Sequence, residues 1–434
     1  MSSPRCIVAI EIGSSKIKGA VGTVDPVSDD LSVIAIEEVH QHPNYVRYGC
    51  VQNVKEVANE LNTVINHLNA KIAPRRISAV YMGVGGRSLM ATPANLEYTM
   101  SEETEVTHEI VDELMSHVDT PSSDREILDV VRGEFFVDSK SQGTDPVGTI
   151  GRKISAAVSV ISCRQQVIRN LSLAVSEKLG LHINGNVVRP TAIADMVLTS
   201  DERRLGTVLV DFGAETTTVA IYKGGVLNYL ETLPLGSRHI SRDITALSYT
   251  EDRAEELKRT LGNANPADNS QNFKAEGIDS TEINCYVAAR AGEIVVNIAE
   301  QLSLAKLTAA DLPGGIVLVG GGSMLHGFAD VLADFTNMRV RYGTPPSNVR
   351  LLGSKMRGTD DVDVVALLYK LSHEVTQSCV ELPAPKPVET PKPEPEEPEP
   401  EPELEIEDHK GSGFMGRLRK FFSPNPEEMD VFDD

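Results

Sequence analysis

The segments "CIVAIEIGSSKIKGAVGTV" (6–24) and "GTVLVDFGAETTTVAIYKGG" (206–225) share one layout: an apolar strand-like run, an acidic residue, a glycine two positions on, hydroxyl side chains, and a second strand-like run. Each reads as two strands joined at a tight glycine turn. Two unrelated hairpins would satisfy the same pattern. Recurrence about two hundred residues apart equally suggests an internal duplication, which would give the chain two similar halves. The stretches "IAPRRISAVYMGVGG" and "KISAAVSVIS" add β candidates, and 51–69 has a helical pattern. In "TEDRAEELKRTLG" (250–262), Thr250 can cap a helix, acids crowd its first turn and Gly262 can end it. Residues 284–311 read as a long helix, and "GGIVLVGGGSMLHG" (314–327) as a strand emptying into glycines ahead of another helix. Strands alternating with helices indicate α/β layers.

The 434 residues allow two or three domains. A net charge of −22 leaves nothing basic large enough to track a phosphate backbone, so nucleic acid is not an expected partner. Five cysteines without paired spacing read as reduced and cytosolic. The opening "MSSPRCIVAIEIG" passes into strand-like sequence without a signal-peptide pattern, and no run approaches the ~20 apolar residues of a spanning helix.

A nucleoside triphosphate requires backbone N–H donors, hydroxyls or a lysine, and acids to hold a hydrated divalent ion. The first turn offers Glu11, Gly13, Ser14, Ser15 and Lys16; the second offers Asp211, Gly213, Thr216, Thr217 and Thr218. The glycines at 320–322, followed by Ser323, would let a backbone approach a nucleoside closely. Neither a "GxxxxGK[ST]" loop nor a complete dinucleotide fingerprint is present, since "GVGG" (83–86) stands alone. His182, His239 and His326 read as surface or local structural residues.

The order of "AIEIGSSK", "LVDFGAETT", "AEELKRTLG" and "GGIVLVGGGSMLHG" resembles the actin / Hsp70 / sugar-kinase ATPase superfamily. Within it, "ILDVVRGEFFVDSKSQGTDPVGTIGRKISAAVSVISC" (127–163) and "LPLGSRHISRDI" (233–244) resemble the FtsA family of bacterial cell-division proteins, over roughly residues 6–375. The resemblance implies a two-lobed actin-like fold of duplicated ribonuclease H-like domains. It implies ATP and Mg2+ as cofactors, with phosphates cradled by Gly13, Ser14, Ser15 and Lys16 from one lobe and by Gly213, Thr216 and Thr217 from the other. Glu11 and Asp211 would stand near the metal. Glu255, Lys258 and Arg259 would lie against adenosine, and Gly320, Gly321, Gly322 and Ser323 would close over the sugar and α-phosphate. Without the resemblance, Lys258 and Arg259 read as an exposed face with ordinary ion pairs.

The implied layout places lobe 1 at 1–83 and 163–203, interrupted by an inserted subdomain at 84–162 that joins copies head to tail. Lobe 2 takes 204–240 and 313–378 around a smaller subdomain at 241–312. An acidic Pro/Glu linker (379–410), an amphipathic helix (411–423) and an acidic tail (424–434) follow. The insertion reads as several acidic helical pieces with an exposed loop, "VDSKSQGTDPVGTIG"; a regulatory ligand domain is the competing account. Partners implied are the tubulin-like division protein FtsZ, held around 240–310, other copies of the chain, later divisome proteins and anionic lipid. The place implied is the cytoplasmic face of the cell membrane at the septum.

Two departures bear on chemistry. Glu11 stands where the superfamily usually has aspartate, and Ala214-Glu215 where it often has glycines. Glu215 would repel a γ-phosphate unless it turns away or meets the metal. With no evident strong base in the turns, hydrolysis is expected to be slow or absent, with catalysis resting on placement.

The prolines and glutamates from Pro383 onward cannot form a core and read as an extended tether, able to reach up to ~90 Å. In "GFMGRLRKFF" (413–422), helical spacing gathers Phe414, Met415, Leu418, Phe421 and Phe422 on about one third of the circumference. Arg417 and Arg419 flank that stripe and Lys420 faces away. This suits a helix lying in the membrane plane beside anionic headgroups; docking onto a partner protein would use the same stripe. Alternatives for the whole are a pilus-assembly-type actin-like adaptor, a sugar or acetate kinase, and a chaperone-like ATPase.

Overall fold

A computed structural model describes residues 5–25, 30–119, 122–265, 267, 274–275, 278–353, 355–375 and 377–382. The acidic tether beyond 382, the helix expected at 411–423 and the tail at 424–434 lie outside the described residues.

Arg5–Ile12 pairs antiparallel with Lys16–Val24, which pairs antiparallel with Leu31–His40. On its other side Arg5–Ile12 runs parallel to Ala79–Val84, and that strand parallel to His182–Val188. The second half repeats the arrangement. Thr207–Phe212 lies between Thr217–Lys223 with Val226–Leu233 on the antiparallel side and Ile316–Val319 with Val340–Tyr342 on the parallel side. The duplication extends to register: Glu11 faces Lys18 across its hairpin as Asp211 faces Thr218 across the other. The turns close on the same bond, Gly13 N–H to Lys16 O and Gly213 N–H to Thr216 O, both at 2.9 Å. The recurring sequence pattern is therefore a true repeat of structure.

The central strands of each sheet are buried on both faces. Helix Val54–Ile72 starts at Asn53, whose side chain accepts from Glu56 N–H, and it buries Val57, Leu61, Val64, Leu68 and Ile72 along one stripe. It sits so close that a Cβ on Gly19 would come 2.8 Å from Leu68 and Val64. Strand Thr207–Phe212 alternates between two cores, with Val208, Val210 and Phe212 in one and Leu209 in the other. Leu209's core also holds Ile7, Ile10, Ala192 and Leu367, so the halves share apolar packing beneath the cleft. At the expected 250–262 helix, Glu251–Leu261 is capped by the Thr250 side chain and ends at Gly262.

Two element expectations differ from the structure. The long helix is Ser280–Leu304, shorter than 284–311 at its C-terminal end. Lys306 takes φ +58°, its N–H bonds Ser303 O, and Leu307 N–H bonds Leu302 O, a Schellman closure made without glycine. The inserted region is mainly sheet rather than acidic helices. Its strands are Met90–Glu105, Arg125–Val137, Lys140–Gly143 and Ile150–Arg164, with one helix, His108–Ser116. Ladder pairing of Ile150–Arg164 with two long neighbours, over a core of Leu96, Met100, Leu114, Phe135 and Ile154, overrides the helix preference of the Glu-rich stretch. The chain leaves the body through Val380–Glu381, paired with Arg76–Ile77, while Cys379 N–H bonds Cys6 O at 2.8 Å. Among the described residues no helix is long and apolar enough to cross a membrane.

Candidate functional site

The two hairpin turns open onto one cavity of about 730 Å³. The first contributes Glu11, Gly13, Ser14, Ser15 and Lys16, and the second Asp211, Gly213 and Thr216. The capped helix adds Glu255, Lys258 and Arg259, and the glycine turn adds Gly320, Gly321 and Gly322. Three expected residues do not line it. Thr217 Oγ1 donates to Leu235 O at 2.7 Å, Thr218 Oγ1 shares a hydrogen bond with Thr232 Oγ1, and Ser323 Oγ donates to Gly320 O at 2.7 Å. Ser323 thus shapes the glycine turn from beneath. His239 Nδ1 sits against Gly236 N–H, a local capping contact in keeping with a structural role.

The turn at 320 depends on glycine. Gly320 has φ +88°, and a Cβ there would meet Asp211 Oδ1 and Phe212 O at 2.6 Å. Close approach of backbone to the second hairpin's carboxylate is thereby possible.

Charge in the cleft is more ordered than the turns alone reveal. Arg189 Nη1 donates to Glu11 Oε1 at 2.6 Å, and its Nη2 lies 3.0 Å from Asp211 Oδ2, tying one half to the other. Burial alone would loosen the Arg189 proton, but Asp211, Glu11 and Asp363 more than reverse this and keep the guanidinium charged. Lys16 Nζ pairs with Asp360 at 2.7 Å and Glu38 at 3.0 Å. Beneath it, Lys18 Nζ meets Asp363 at 3.0 Å and Asp360 at 3.1 Å. Desolvation works against the Lys18 charge, yet these acids hold its pKa above the ordinary lysine value. Burial also opposes ionisation of Asp360, and Lys18 and Lys16 overcome it, drawing the carboxyl down to about 2. Burial lowers Lys258, whose ammonium meets Glu255 at 2.6 Å and Ser237 O at 3.1 Å. Glu38, Asp360 and Asp361 bring carboxylate oxygens within 4.8 Å of one another and could hold a cation, although Lys16, Lys18 and Arg357 already pair with them.

Glu215 borders the cavity, but its side chain is fully buried and held by arginines. Arg47 Nε lies 3.0 Å from it, Arg238 Nη1 3.2 Å and Arg242 Nη2 3.7 Å, while Tyr48 N–H donates to it at 2.9 Å. Arg238 also donates to Ser14 O at 2.9 Å. Sequence reasoning missed Arg189, Lys18, Asp360, Asp363 and the arginines around Glu215. One signal was available: Arg189 follows the apolar run of "VVRP" with Pro190 marking the first turn of a helix, the carboxyl end of a parallel strand, where α/β folds collect functional groups.

The residues present suit a nucleotide. The cavity offers glycine-turn N–H groups and hydroxyls from both halves. They do not suit a metal ion held by Glu11 and Asp211, because a guanidinium already lies between those carboxylates.

The family described as "Cell division protein FtsA" matches residues 208–356, and the "SHS2 domain inserted in FTSA" matches 86–162. A cell division protein FtsA of Bacillus subtilis is 27% identical over 360 residues, covering 80% of each chain. Among solved structures, the PilM-PilN type IV pilus biogenesis complex contains a chain with TM-score 0.61 at 17% identity, over 84% of this chain and 98% of that one, a likeness of fold. The cell division protein FtsA of Porphyromonas gingivalis is 32% identical over 366 residues, 79% of this chain and 74% of that protein. By that match and the two-lobed actin-like fold with its insertion, this chain belongs to the FtsA family of bacterial cell-division proteins.

Proposed function

We propose that this protein binds ATP between its two lobes and uses the bound nucleotide to set assembly with other copies of itself. Filaments so formed tether the tubulin-like division protein FtsZ to the cytoplasmic face of the cell membrane at the septum and recruit later divisome proteins. The observation that carries the reading is the convergence of two equivalent hairpins and the Gly320–Gly322 turn on one cavity. Gly13 to Lys16 and Gly213 to Thr216 hold the phosphates, while Glu255, Lys258 and Arg259 flank the adenosine. Thr217 and Ser323 act from behind, by fixing the turns.

Hydrolysis is slow at most. The carboxylates of the two turns, Glu11, Asp211 and Glu215, are each engaged by arginine, so none stands ready as a base. A nucleotide that persists suits a switch, in which occupancy sets the angle between lobes. Among the described residues, Glu38, Asp360 and Asp361 are the carboxylates grouped closely enough to hold a cation such as Mg2+, although Lys16, Lys18 and Arg357 already pair with them.

Membrane attachment is assigned to Phe414, Met415, Leu418, Phe421 and Phe422 with Arg417, Arg419 and Lys420. So short a helix binds weakly alone, and avidity along a filament makes the anchor sufficient. Co-sedimentation of the full chain with anionic vesicles, beside a chain ending before Gly411, tests the reading. The full chain should pellet with vesicles, more so with ATP, and truncation should abolish this. Indifference to vesicles in every nucleotide state, or to truncation, refutes the proposal.

A further inference from the structure

Glu11 and Asp211 already have a cation between them, and the fold delivers it from a separate strand. His182–Val188 runs parallel to Ala79–Val84, which runs parallel to Arg5–Ile12, so the carboxyl ends of all three face the cleft. Arg189 is the first residue beyond its strand. Two observations show that its seat is built. Arg189 opens helix Arg189–Val197, where a cation meets the positive end of the helix dipole, so local preference opposes its placement. And a Cβ on Gly85 would come within 2.9 Å of Arg189 Cζ, so the guanidinium needs glycine beneath it. This gives "GVGG" (83–86), which completes no nucleotide fingerprint, a physical role.

We propose that Arg189 is a built-in cation that takes the divalent ion's place at the Glu11–Asp211 pair, so that ATP binding by this chain does not depend on Mg2+. The inference rests on the nucleotide reading above. Magnesium demands near-octahedral oxygen ligands at about 2.0–2.1 Å. To supply them, the two carboxylates would have to release a guanidinium whose side chain is only 13% exposed, leaving that charge without its partners. Arginine stays protonated at any physiological pH, so the bridge is a fixed charge rather than a titrating one. Its Nε is buried without a hydrogen-bond partner, so Glu11 and Asp211 are what hold the group.

Calorimetric titration of ATP into the full chain, in EDTA and in excess Mg2+, tests this. Wild-type affinity should differ by less than about threefold between the two conditions. Arg189→Ala should bind at least about tenfold more weakly in EDTA and recover with Mg2+, as metal enters the vacated carboxylate pair. Mn2+ resonance spectra should then show metal bound in the ATP complex of the variant in a protein environment that the wild-type complex lacks. Arg189→Gln, which keeps most of the side chain's bulk, replaces the alanine variant if melting shows that one unfolded. If both unfold, the wild-type comparison decides. A wild-type chain that loses more than about threefold in EDTA overturns the inference, as does a folded variant that binds in EDTA like wild type. Absence of ATP binding in both conditions overturns the nucleotide reading itself.

Discussion

Gly320 and Asp360 show how single positions carry the cleft. Gly320 combines φ +88° with a missing Cβ that would sit 2.6 Å from Asp211 Oδ1, so Gly320→Ala meets both backbone strain and a collision. Thermal unfolding should register a loss of about 1–3 kcal/mol, and ATP should stabilise the variant less than wild type. Asp360 acts through charge. Its folded pKa of about 2 lies below the unfolded value of 3.8, so its contribution is complete above pH ~4 and is lost as pH falls toward about 2. Asp360→Asn should therefore cost about 2 kcal/mol at neutral pH, with the gap from wild type closing near pH 2. A constant gap across that range would show that Lys16 and Lys18 do not depend on the Asp360 charge.

At the scale of elements, local signals were readable where the backbone's own groups settle the matter. Helix Glu251–Leu261 was legible because Thr250 supplies the cap and Gly262 the stop. Thr250→Ala should lower stability by about 1 kcal/mol, measured by denaturant midpoint at unchanged slope. The glycine turns were legible too, since the hairpin motif repeats in sequence and closes with the same bond. What escaped reading depends on distant partners. The Glu-rich end of Met90–Glu105 suits a helix, yet the segment pairs with a strand roughly sixty residues away. Thr217, assigned to phosphate, faces Leu235 O, because its position in the ladder fixes which way it points. Arg189 meets Glu11 across 178 residues of sequence, and no local pattern records that distance.

At the scale of the whole molecule, the halves are joined by charge as well as by shared core. Glu215 belongs to the second hairpin, but Arg47 and Tyr48 N–H reach it from the first half. Arg238, from helix Ser237–Ile244, binds Glu215 while donating to Ser14 O on the opposite turn. The clasp therefore spans the mouth of the phosphate region, and opening the cleft must separate a fully buried carboxylate from its arginines. Glu215→Gln keeps the shape and removes the charge, so stability should fall by about 3 kcal/mol. The freed arginines would then be available to the negative charge of a nucleotide. ATP should accordingly raise the melting temperature of Glu215→Gln by more than it raises that of wild type, even though the variant starts lower. Small-angle scattering without nucleotide should show the variant more expanded than wild type, and ATP should bring the two together. Equal ATP-induced shifts would mean that Glu215 braces its own hairpin alone, leaving the shared core to hold the lobes at their angle.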